Sequence, residues 1–202
     1  MITRAGRAFL ALSAVLGCST LPEYAAPKGS VVDVASLDST NVIGYRQISR
    51  ADFNGTKAPR EFAAIADRVG AATCGHVRTT PDTQMTINWT QDSPQSPKRH
   101  WVEVKNLRFV ALMNRNCSWW NDKAAAFAPD YVLQHEQIHF ALYELGARRL
   151  NAALPVIKRD MVSEGPTQEA VQSHAQDALK EALVEATKDI VARNRDFDED
   201  TS

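Results

Sequence analysis

The sequence is short of several things, and each shortage closes off a class of function. Three cysteines in 202 residues, none spaced C-x-x-C, exclude a dithiol redox motif and a ribbon-type metal site. Lys and Arg number 23 against 24 Asp and Glu, for a net charge of −1. They form no stripe interleaved with aromatics, so no nucleic-acid surface is expected. No internal repeat and no low-complexity tract is present, which excludes a solenoid. Long apolar runs are missing too: the uncharged stretch Ala8 to Leu16 is too short to span a membrane.

That stretch nevertheless has a meaning. Arg4 and Arg7 precede it and Gly17-Cys18-Ser19 follows, the layout of a secretory signal peptide over residues 1–17. Val15-Leu16-Gly17-Cys18 resembles a bacterial lipobox, in which cleavage before the cysteine leaves Cys18 to carry lipid. The alternative is an ordinary signal with a stray cysteine. Ser19 resembles the residue after the cysteine in Gram-negative lipoproteins sent to the outer membrane. The expectation is an exported lipoprotein facing the periplasm, held to the membrane by its acyl chains. Removing Arg4 and Arg7 with the signal takes the net charge from −1 to −3. Cys74 and Cys117 then remain as a pair in an oxidising compartment, and a disulfide is expected. Two buried free thiols are the alternative, since sequence alone does not bring two backbones within bonding distance.

Residues 18–30, with Pro22, Pro27, Gly29 and Ser30, read as a tether, and residues 31–202 as one domain. Val31 to Leu37 and Asn41 to Ile48 read as strands, Asp52 to Gly55 as a turn, and Pro59 to Val69 as a short helix. Ala72 to Arg78, Gln84 to Thr90 and Trp101 to Met113 are rich in β-branched and aromatic residues, as antiparallel strands are. The chain then changes character. Pro129 to Ala153 and Thr167 to Arg195 have helical spacing, separated by Pro155, Gly165 and Pro166. The fold class is α+β: an antiparallel sheet packed against a C-terminal pair of long helices.

The first of those helices carries His135-Glu136-Gln137-Ile138-His139. Residues four apart lie nearly above one another on a helix, so His135 and His139 present two imidazoles to one ion. Glu136, turned about 100° away, reaches water bound to that ion. Two neutral imidazoles suit Zn²⁺, and Glu136 takes the role of general base and then acid. On a helical wheel both histidines share a sector with Val132, Leu142, Gly146 and Leu150. Gln137, Glu144 and Arg148 fall opposite, where Glu144 and Arg148 make an i, i+4 pair. His76 and His100 have no partner spacing, and Trp119 and Trp120 are read as core residues or cleft lining.

The flanks carry a resemblance. His135-Glu136-Gln137-Ile138-His139-Phe140 with Glu144 and Ala147-Arg148 is similar to the metal helix of a bacterial family of predicted secreted zinc-dependent proteases. Ile48 to Gly55, Ala71-Ala72-Thr73, Ser118-Trp119 and Phe197-Asp198-Glu199-Asp200-Thr201 resemble other segments of that family, in the same order. The resemblance covers roughly residues 43–202. It implies a zincin-like fold, a Zn²⁺ cofactor and hydrolysis of a protein or peptide. Family members usually continue past the threonine with a residue and a histidine, and this sequence stops at Ser202. If the family's third ligand is the aspartate of its closing segment, Asp198 serves; if it is that histidine, the ligand is missing. His174, Glu181 and Glu185 on the second helix are the rival third ligands from helix pairing. A non-catalytic envelope lipoprotein that keeps the fold and binds a partner is the alternative function.

Overall fold

The computed structural model describes residues 38–39 and 41–201. The signal peptide, Cys18, the tether, the strand expected at residues 31–37 and Ser202 lie outside them.

Among the described residues the architecture is α+β, with three small antiparallel sheets and three α-helices. Strand β6 (Phe109–Asn114) is the centre of the first sheet. It pairs with β1 (Val42–Gly44) on one edge and β3 (Gly75–Thr79) on the other. Its residues Phe109 to Met113 are all buried, as a strand covered on both faces demands of an unbroken apolar run. A second sheet joins β2 (Ala71–Ala72) to β7 (Trp119–Trp120). In the third, β5 (Arg99–Lys105) lies between β4 (Gln84–Thr90) and β8 (Glu164–Gly165). There Met85, Ile87 and Trp89 stand opposite Val104, Val102 and His100 on a single face, and Val102 is buried. The alternation in the sequence sets that register.

Helix α1 (Pro129–Ala152) begins with Pro129 in its first turn and runs between β3 and β6 on one side and α3 (Gln168–Thr201) on the other. Phe140, Ala141 and Ala147 enter the core shared with Tyr45, Phe109 and Met113. Gly146 permits the close approach of α3: a Cβ there would lie 2.3 Å from Ile190 Cδ1. The helices are antiparallel, because His139 meets Asn194 while Arg149, farther along α1, pairs with Asp189, farther back on α3.

Several expectations change. Asn41 to Ile48 is a strand only over Val42–Gly44, and Ala72 to Arg78 is divided between β2 and β3, which belong to different sheets. Trp101 to Met113 is two strands, broken where Asn106 takes a left-handed backbone (φ 54°), a conformation that asparagine tolerates. Pro59 to Val69 holds only a 3₁₀ turn, Arg60–Phe62, followed by further turns. The connection between the two long helices contains α2 (Leu154–Met161), set off by Pro155, which has no N–H for α1 to bond. Glu144 is not on an exposed sector: it is 3% exposed and accepts a 2.8 Å bond from Arg148 Nε. Burial raises its carboxyl above the ordinary value, and Arg148 draws it partly back. Packing on two sides leaves α1 no free face at that position.

Cys74 and Cys117 form a disulfide, with Cα atoms 5.7 Å apart. It ties the β2–β3 junction to the β6–β7 loop, where the Ser118 hydroxyl accepts from the Cys74 N–H and donates to Asn114 O. Among the described residues no helix is long and apolar enough to cross a membrane.

Candidate metal centre

The helical repeat turns His135 and His139 toward α3 and sends Glu136 toward the segment after β2. There the Thr73 hydroxyl lies 3.5 Å from the Glu136 carbonyl oxygen. Across the helix interface, three turns of α3 supply the partners. Asn194 donates its amide to Ile190 O at 2.7 Å, which points its Oδ1 at His139 Nδ1, 2.6 Å away. The Thr201 hydroxyl donates to Phe197 O at 2.7 Å and offers its oxygen to His135 Nδ1 at 3.4 Å. This network assigns the proton to Nδ1 in both neutral rings and leaves both Nε2 atoms bare.

The bare atoms converge. The two Nε2 are 2.9 Å apart, and Asp198 Oδ1 lies 3.2 Å from the first and 3.0 Å from the second. Three lone pairs aimed at one point repel one another unless a cation, a proton or a metal ion, stands among them. Phe197 fixes the rings from the side, with its centroid 4.7 Å from His135 and 5.2 Å from His139.

Glu136 completes the group. It is 4% exposed, its Oε2 has no hydrogen-bond partner among the described residues, and it and the two histidines place ligand atoms within 4.8 Å of one another. His135, Glu136 and His139 thus form a cluster able to hold a metal ion. Asp198 is the nearer carboxylate to both imidazoles, so Glu136 is left beside the donor triangle rather than in it.

The charges follow the geometry. Burial raises the Glu136 carboxyl above its ordinary value, and the two imidazoles and Thr73 offset this only in part. Burial would lower the His139 imidazole, but Asp198 and Glu136 outweigh it and hold it above the ordinary value. Burial would likewise raise Asp198, but once a proton sits on the facing Nε2 atoms, hydrogen bonds and charge from the imidazoles hold it well below the carboxylate range. Loading the group with acid and base is thus coupled to whatever cation it holds.

The cluster opens on a cleft of about 670 Å³. Glu61, Phe62, Arg68 and the strand β2 line one side, Val191, Asn194 and Arg195 the other, with Tyr143 one turn beyond His139. β2 is paired with β7 on one edge.

Of the other sequence candidates, none joins the cluster. The His174 Nε2 bonds Asp160 O at the end of α2, Glu185 pairs with Lys188, and Glu181 is exposed. These rivals lie about four to seven helical turns before Asp198 on α3, because the antiparallel offset sets residues 194–201 against His135 and His139. His76 and His100 stand on β3 and β5, and neither tryptophan lines the cleft: Trp120 packs edge-on against Phe53. Asn194 and the role of Thr201 escaped the sequence reading; the signal was present, since both share the helical face of Asp198. No family model, curated protein or solved structure matches the chain.

Proposed function

We propose that the chain is an exported zinc metallopeptidase of the HExxH type with a zincin-like arrangement, a lipoprotein member of the secreted zinc-protease family it resembles. One observation carries the reading: two imidazoles with their Nδ1–H groups committed to α3 aim bare Nε2 atoms, with Asp198 Oδ1, at a single point beside a buried, unpartnered Glu136 carboxylate oxygen.

The donor set suits zinc. A tetrahedral ion with bonds of about 2.0–2.1 Å separates its ligands by about 3.4 Å, close to the 2.9, 3.0 and 3.2 Å sides of the triangle. His135, His139 and Asp198 would hold the ion, and Asn194 and Thr201 would orient the imidazoles, as outer partners of ligating histidines do. When bound, zinc supplies a Lewis acid that acidifies water and polarises a carbonyl. Glu136 takes the proton of the attacking water and delivers it to the leaving amine, and its burial strengthens it as a base for that purpose. The cleft admits a protein or peptide chain, and β2 offers it a strand to lie along. The Cys74–Cys117 disulfide supports the exported setting, and the order Arg4, Arg7, apolar run, Cys18 supports the lipid anchor.

Glu136→Gln tests the reading, since it keeps shape and metal ligands but removes the base. Zinc content should stay near one per chain while hydrolysis of a peptide library falls by about 10²–10⁴-fold. Equal hydrolysis by both forms refutes the mechanism, and no hydrolysis by the unaltered chain points to the binding-module alternative.

A further inference from the structure

The metal cluster occupies only part of its cleft. Because α1 and α3 are antiparallel, Tyr143, between His139 and Gly146 on α1, stands opposite the stretch of α3 between Asn194 and Ile190. That stretch begins with Val191. Phe62, from the 3₁₀ turn, closes the third side of this end, with the exposed Glu61 at its rim. Val191 is 56% exposed, an apolar side chain left in water on the wall of the cleft, although the core is a single residue away at Ile190.

Tyr143 is held in place. A Cβ on Gly75 would fall 2.2 Å from its Cδ2 and 2.4 Å from its Cε2, so the ring lies against bare backbone that no other residue could provide. Burial and the nearby Glu61 carboxylate keep its phenol protonated through the physiological range. The floor of this end is therefore an uncharged aromatic plane.

We propose that the Tyr143 end of the cleft, walled by Phe62 and Val191, is a specificity pocket that takes a large apolar side chain of the peptide adjacent to the bond presented to the metal. The pocket rests on the peptidase reading for its occupant, and its chemistry rests on these three side chains. Burying a phenylalanyl or leucyl side chain against them, in place of alanyl, removes apolar surface from water on both partners. Differences of this kind discriminate by about 10–200-fold.

The test uses the zinc-loaded full chain and hydroxamates of Ala-, Leu- and Phe-containing dipeptides, with affinity measured by calorimetry. Hydroxamates bind metal without being hydrolysed, so the pocket is read independently of catalysis. The Phe and Leu compounds should bind about 10-fold or more tighter than the Ala compound. Val191→Ser, at a surface position that leaves folding intact, and Tyr143→Ala should each cut that advantage to about threefold or less with the Ala compound unaffected. Gly75→Ala, which drives a methyl into the ring, should do the same. Equal affinity for Ala and Phe compounds, or a preference untouched by all three variants, overturns the pocket. A preference retained by a chain that hydrolyses no peptide supports the pocket and overturns the peptidase reading instead.

Discussion

Removing the metal should loosen one part of the molecule selectively, the end of α3. Beyond Ile190, that helix holds α1 through Asn194, Phe197, Asp198 and Thr201 on His135 and His139, and through Tyr131, whose hydroxyl donates to Thr201 O. Its last turns are poorly suited to stand alone. Asp196, Asp198, Glu199 and Asp200 crowd the negative end of the helix dipole, and the last turn contains no basic residue. Arg195 reaches Asp196 and Glu199 and offsets their charge, while Asp198 and Asp200 in the last turn each cost about 0.3–1 kcal/mol at low ionic strength, together about 0.6–2 kcal/mol. A divalent cation among the ligands reverses the sign at Asp198. Opening this end removes Asp198 from the ion, so zinc at a thousand times its Kd stabilises the closed state by about 4.1 kcal/mol, less whatever the two histidines retain when open. Amide exchange over residues 191–201 should therefore slow by about 10²–10³-fold on zinc addition and recover on chelation. The buried strand Phe109–Met113 should change far less, since it exchanges through larger openings. Chelation that leaves residues 191–201 unchanged, or speeds both segments alike, refutes the coupling.

Other consequences are checked more simply. Zinc affinity, measured by competition with a chromophoric chelator, should fall as pH drops through and somewhat above the ordinary histidine range. The cause is that the metal-free His139 is held above its ordinary value by Asp198 and Glu136 and must lose its proton to bind; a pH-independent affinity excludes the imidazole ligands. Asp52, buried against Arg46 at 2.6 Å and bonded by the Ser49 N–H, resists protonation despite the opposing effect of burial. The stability it contributes is present above the unfolded carboxyl value near about 4 and is lost as pH falls below it. Asp52→Asn should cost about 2 kcal/mol in denaturant unfolding at pH 7, with the gap narrowing in acid. Gly146→Ala should destabilise by about 1–3 kcal/mol, because its methyl collides with the buried Ile190; an unchanged unfolding midpoint would show that α3 packs otherwise. Replacing Cys74 and Cys117 by serine opens a loop whose ends are 43 residues apart, worth about 4 kcal/mol, and equal stability of the two forms would contradict the cross-link.

What the sequence made legible was what depends on local spacing. The i, i+4 histidines declare a shared helix face wherever the helix happens to pack, and the β-branched and aromatic residues of Gln84 to Thr90 declare a strand. Hidden features were those decided by a single residue's backbone or by packing on two sides. Nothing in the run Trp101 to Met113 announces the break at Asn106 except an asparagine, which strands also contain. Glu144 looked solvated because an amphipathic wheel assumes one covered face, and α1 has two.

The proposed third ligand shows where such reading stops. His174, Glu181 and Glu185 share one flank of α3 and Asp198 lies on another, and all four are acceptable donors, so the residue types alone do not say which flank meets the histidines. The choice is made by the offset between two antiparallel helices, which depends on the length of the connection that holds them. Residues 154–166 are not a plain loop: they fold into α2 and β8, and β8 is pinned to β5 at His100 and Trp101. That pinning fixes where α3 starts. From there, the close contact of Gly146 with Ile190 sets the register of everything beyond it, one turn bringing Asn194 to His139 and the next bringing Asp198 between the two imidazoles. The site is thus specified by a glycine two turns away from it and by a two-residue strand in another sheet, neither of which carries any sign of metal chemistry in its own sequence.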